Sequence, residues 1–119
     1  MLFRSTPLHA LTTLNDPTWV EAARVLAEKS MLAGRDLDAR LVHAFRRVLG
    51  RRPTDYDLDA LKRMHARQLE AYLADPDAAK QLVAVGESPR DKALDPAGHA
   101  ALTSVCLAIF NLDEALTRE

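Results

Sequence analysis

Apolar residues recur along this chain at spacings of three and four, the period of a helix with one face turned inward. Leu8, Leu11 and Leu14 mark one side of a short first helix, Pro7 to Leu14. Trp19, Ala22, Ala23 and Leu26 mark a second, from Pro17 to about Ala33, with Gly34 placed to end it in a left-handed turn. Leu41, Phe45, Val48 and Leu49 form the inner stripe of a third helix, which Asp36 caps and Gly50 ends. Leu58, Leu61, His65, Leu69 and Tyr72 line a fourth. Ala79, Leu82 and Val83 line a short fifth that stops by Gly86. The segment Glu87 to Leu94 carries turn-forming residues and no apolar anchor in its middle, so it reads as a loop. The last helix is apolar almost all round from Ala100 to Leu112, which predicts a place in the centre of a bundle or under a partner. No stretch alternates as a strand does. The pattern predicts an all-α fold: one helical domain over residues 1–119, a compact bundle of about six helices with the C-terminal helix central.

Polar punctuation agrees with these boundaries. Asp-Pro pairs stand at Asp16-Pro17, Asp75-Pro76 and Asp95-Pro96, each before a run rich in Ala and Leu. An aspartate there accepts hydrogen bonds from the free N–H groups of a helix start and suits its positive dipole end. Proline fits the next position, where its missing N–H costs nothing. Thr54 begins a capping box, with Asp57 answering from the third helical position. Asp16, Thr54, Asp75 and Asp95 are therefore the expected helix caps.

Composition narrows the classes of function. At 119 residues the chain can bury a core of its own without a metal or disulfide staple. The formal net charge of −1 gives no global attraction to nucleic acid or to an anionic membrane. No apolar run has the length of a membrane span. The first fifteen residues lack the continuous apolar stretch of a signal peptide, which predicts a cytoplasmic protein. A lone cysteine, Cys106, makes no internal disulfide.

Candidate chemistry is sparse. Asp55, Asp57 and Asp59 copy the first ligands of a calcium loop, but Ala60 and Ala66 stand where the loop needs Gly and a bidentate Glu. The spacing of His9, His43, His65 and His99 puts no two on one helix face, so no metal is expected. Cys106 lies inside the apolar helix, two turns from His99, and reads as packing. Neither a nucleophile elbow nor a phosphate-cradling glycine loop occurs. No catalytic residue and no cofactor are expected. Arg46, Arg47, Arg51 and Arg52 are the most suggestive polar cluster and the candidate interaction surface. With Arg40, Lys62, Arg63 and Arg67 they could face phosphates as a helix-turn-helix protein does. The acids at Asp55, Asp57 and Asp59, and the long connection Gly50 to Thr54, argue against nucleic acid as the partner. Asn15, Asn111, Asp113 and Glu114 could form a polar junction if the two chain ends meet.

Several blocks carry a resemblance. Arg4-Ser-Thr-Pro-Leu-His-Ala-Leu and Leu14-Asn-Asp-Pro-Thr-Trp-Val-Glu-Ala-Ala-Arg24 are similar to the C-terminal signature of the planctomycete-type family of unknown function numbered 1553. Phe45-Arg-Arg-Val-Leu-Gly-Arg-Arg-Pro-Thr54, Gly86-Glu-Ser-Pro-Arg90 and Asn111-Leu-Asp-Glu-Ala-Leu-Thr-Arg-Glu119 resemble its later blocks, in order. The resemblance implies the closing region of a larger exported protein that carries a cytochrome-c-like segment, for which no activity is established. The exported setting stands against the cytoplasmic expectation. This chain has no Cys-x-x-Cys-His, so no covalent haem site comes with the likeness.

Taken together, these features predict a non-enzymatic docking or scaffold domain that offers apolar helix surface to a protein partner or to a second copy as a homodimer. A helix-turn-helix-like nucleic-acid binder and an accessory subunit completing an enzyme or redox protein on another chain are the alternatives.

Overall fold

The computed structural model describes residues 17–117. Five helices follow in order: α1 (Pro17–Ala33), α2 (Leu37–Leu49), α3 (Asp55–Ala74), α4 (Pro76–Val83) and α5 (Pro96–Thr117). They match the second to sixth helices expected from periodicity. The expected first helix, its stop at Asn15 and the cap Asp16 lie outside the described residues.

The capping chemistry sets the boundaries. Asp36 accepts from the Ala39 N–H at 2.8 Å and opens α2. Thr54 and Asp57 exchange both bonds of a capping box at the start of α3. Asp75 serves two helices: its N–H closes α3 onto the Ala71 carbonyl, and its side chain accepts from Ala78 N–H at 3.2 Å to open α4. Asp95 accepts from the Gly98 N–H at 2.9 Å and opens α5.

α5 is the hub and packs against each of the other four helices. Ala23 and Ala27 of α1, Leu41, Ala44 and Phe45 of α2, Leu61 of α3, and Leu102, Val105, Cys106 and Ile109 of α5 form the main core. Ala79 and Val83 of α4 meet Ala100 in a smaller cluster. The alanines let helix backbones approach closely, which is how a hub helix touches four neighbours.

Two expectations need correction. The buried side of α1 is Val20, Ala23, Arg24, Ala27 and Ser30, whereas Ala22 is exposed and Leu26 half-buried. The stripe is turned because α1 must satisfy the loop after α4 as well as the core. Trp19 is half-buried and packs edge-to-face on Phe110, with ring centroids 5.7 Å apart. Gly34 is not left-handed either; among the described glycines only Gly50 and Gly86 have positive φ. Gly34 is needed for space: a Cβ there would lie 2.8 Å from the Arg40 backbone nitrogen, where α2 starts beneath it.

Candidate functional site

The arginine cluster divides in two. Arg46 and Arg47 sit in the last turn of α2, where the helix dipole favours cations. With Arg52 they line a groove of about 830 Å³ between α2 and the start of α3. Ala39, Val42 and Leu58 give the groove its apolar lining, and His43 and Asp38 complete it. Lys62 holds Asp38 at 3.1 Å. Arg46, Arg47 and Arg52 are exposed and have no carboxylate partner among the described residues.

Arg51 is separate from them. Its guanidinium stands 4.9 Å from the Phe45 ring centroid, a cation–π distance. It also bonds Asp57 at 3.3 Å and the Arg52 carbonyl at 3.1 Å. The other basic residues are occupied or dispersed: Arg40 donates to the Gly34 carbonyl at 2.9 Å, Arg63 pairs with Asp59, and Arg67 is exposed. The Thr54 N–H and hydroxyl, with Arg51 beyond them, hold the Asp57 carboxyl below its ordinary range.

A second polar assembly has no counterpart in the expected site residues. Arg24 is buried to 1% exposure on α1 and donates from Nε to the Val85 carbonyl at 2.9 Å and from Nη2 to the Ser88 carbonyl at 2.8 Å. Glu21, one turn earlier, accepts the Ser88 N–H at 2.7 Å, the Glu87 N–H at 3.2 Å and the Ser88 hydroxyl. Those donors, the hydroxyl first, hold the Glu21 carboxyl below the usual range. Gly86, at φ 90°, allows the fit, because a Cβ there would collide with the Glu21 side chain. Glu28 accepts the Asp91 N–H at 3.2 Å.

His99 of α5 closes this assembly. It is fully buried, and its Nε2 donates to the Arg24 carbonyl at 2.9 Å. That bond fixes the tautomer, so Nδ1 accepts from Arg90 Nε at 3.1 Å. Arg90 Nη2 donates in turn to the Leu94 carbonyl at 2.7 Å. Burial, with the Arg90 and Arg24 charges behind it, pushes the His99 pKa down. Both ring nitrogens are engaged, so the imidazole organises backbone and has no free lone pair. Polar side chains thus anchor the loop that lacks an apolar anchor. A sequence signal existed: Arg24 interrupts the apolar stripe Val20–Ala23–Ala27.

The remaining candidates stay apart. Among the described residues no group of three His, Cys, Asp or Glu is arranged to hold a metal ion. His43 bonds the Ser30 hydroxyl at 2.8 Å, His65 is half-buried on α3, and His9 lies outside the described residues. Cys106 is buried in the core, and desolvation drives its thiol pKa far up. Asn111 and Asp113 are half-buried, while Asn15 and the Glu114 side chain lie outside the described set. No helix among the described residues is long and apolar enough to cross a membrane.

Among the described residues, fold and site define an all-helical domain with an internal polar clamp and an outward groove lined by arginines. The chain belongs to the PSD1 family, whose model, described as a protein of unknown function (DUF1553), matches residues 3–65. That match spans α1, α2 and the first half of α3, and so includes Glu21, Arg24 and the groove arginines. The blocks Gly86–Arg90 and Asn111–Glu119 lie beyond it. No curated protein and no solved structure matches the chain.

Proposed function

We propose that this chain is a non-enzymatic docking domain that presents the groove between α2 and the start of α3 to a protein partner. One observation carries the reading: Arg46, Arg47 and Arg52 line an apolar groove with no carboxylate partner among the described residues, while Arg24, Arg51, Arg63 and Arg90 are spent on internal bonds. Guanidinium groups beside an apolar wall suit a protein surface, where arginine is over-represented among interface residues. The polar groups that could do acid–base work support the same reading. His99 has both nitrogens engaged, Glu21 accepts from loop donors, and Cys106 is sealed in the core.

Duplex DNA fits the groove less well. Phosphates would have to approach past Asp55, Asp57 and Asp59 at the start of α3, and the connection across residues 50–54 is longer than that of a helix-turn-helix.

Peptide display against the immobilised domain tests the reading without a known partner. Enriched peptides, titrated into isotopically labelled protein, should shift the amide signals of Ala39, Val42 and Leu58. Substituting Arg46 and Arg52 by Ala should weaken them while the melt stays that of the parent. No enrichment, or shifts confined to other faces, would remove the proposal.

A further inference from the structure

The groove's partner can be narrowed by chemistry, on the strength of the docking reading above. We infer that the groove takes an acidic amphipathic helix of another protein, its apolar side against Ala39, Val42 and Leu58 and its carboxylates over Arg46, Arg47 and Arg52.

The charge argument comes first. Among the described residues Asp38 is the one acid lining the groove, and Lys62 already pairs with it at 3.1 Å. The three arginines are left unbalanced in a chain whose net charge is −1, so the positive field is local. Arginine also presents a planar fork that meets a carboxylate with two parallel bonds, which a lysine ammonium cannot do. The groove is therefore built for carboxylates more than for diffuse negative charge.

Shape selects a helix. Ala39, Val42 and Arg46 follow at spacings of three and four along one side of α2, a ridge of about 10 Å or two helical turns. Its start is apolar and its end basic, and Leu58 of α3 supplies the opposite wall. A helix laid in a groove of this kind is read by residues at the same i, i+3, i+4 and i+7 spacing. Two turns of an occupant, apolar at one end and acidic at the other, would complement it.

Two other occupants fit worse. A nucleic-acid backbone would satisfy the arginines but leave Ala39, Val42 and Leu58 facing charge, and it would meet Asp55, Asp57 and Asp59. The acidic start of α3 in a second copy suits the groove poorly, because Asp57 is committed to the Thr54 capping box and Arg51, and Asp59 to Arg63.

Fluorescence anisotropy with synthetic helices of about 16 residues decides the matter. One peptide carries Glu in its last two turns, a second replaces each Glu by Gln, and a labelled DNA duplex is the third probe. The Glu peptide should bind at least about tenfold tighter than the Gln peptide, a difference of ~1.4 kcal/mol that one good charge-assisted pair can supply. Raising salt should narrow that gap. Arg46→Gln with Arg52→Gln, whose folding is checked by circular dichroism, should abolish the preference. Equal binding of both peptides, with amide shifts at the groove, overturns the acidic chemistry and leaves docking standing. Tighter binding of the duplex overturns it in favour of nucleic acid. A self-associating protein blind to both peptides overturns it in favour of a second copy. Absence of every one of these overturns the docking reading as well.

Discussion

Arg24 on α1 and Arg46 on α2 carry the same guanidinium in opposite surroundings. Arg24 is desolvated, and two of its nitrogens are given to the carbonyls of a loop more than sixty residues away. Arg46 is exposed at the lip of the groove, with no carboxylate partner among the described residues. The difference follows from the cost of burial. Burying a guanidinium is costly unless its donors are used, so Arg24 becomes a device for holding backbone through Nε and Nη2. Its buried Nη1 has no hydrogen-bond partner among the described residues. An exposed guanidinium keeps its donors at little cost and remains free for a partner. One end of this molecule thus uses charge to make the fold, and the other holds charge outside it.

The comparison breaks most visibly through Arg24. Arg24→Leu removes two charged donors and leaves the Val85 and Ser88 carbonyls bare, while Glu21 keeps its Ser88 and Glu87 donors but loses the guanidinium 4.0 Å away. It should cost about 3 kcal/mol in urea unfolding. A parental midpoint would mean the clamp contributes nothing. Acid should loosen the same region. The folded state depresses the His99 pKa below the ordinary 6.5, so below that pH the unfolded chain binds more protons. Stability is complete above pH 6.5 and falls as pH drops through and below it, with a slope for one histidine of at most ~1.4 kcal/mol per pH unit. His65, also depressed by burial, adds in the same direction. Glu21 and Asp57 extend the loss below their ordinary values of 4.5 and 3.8. His99→Gln should flatten the upper part of a melting-against-pH curve; an unchanged curve would show that protonation of this ring is tolerated.

Smaller effects sharpen the contrast. Asp95→Ala and Thr54→Ala should each cost about 1 kcal/mol in thermal melts, since each deletes one cap acceptor. At the bottom of the scale, Arg46→Ala, Arg47→Ala and Arg52→Ala should each stay within about 0.5 kcal/mol of the parent. A large loss at any of them would turn the groove from a free surface into part of the fold.

Much of the architecture was legible because it is local. Asp36, Thr54, Asp75 and Asp95 act on N–H groups three residues away, so their effect is written in the adjacent sequence. Gly50 was readable for the same reason: a left-handed residue ends α2 within one turn. The central place of α5 followed from a helix with no polar side. Gly34 was misread because the same residue type serves a left-handed turn or a tight approach, and only the position of Arg40 distinguishes them.

The site was legible in part. The clustering of basic residues singled out Arg46, Arg47, Arg51 and Arg52, but it could not tell that Arg51 would turn to Phe45 and Asp57 while the other three lined a groove. Nor did it point to Glu21, Arg24 and His99, whose partners lie in the loop between α4 and α5. The sequence by itself determined the helices and their ends, because helix propensity and capping act over three or four residues. The tertiary structure alone decided which charges are buried and which are free. That choice depends on which distant carbonyls arrive within reach of a donor; a charge inside an apolar stripe, as at Arg24, marks a buried position but not its partners.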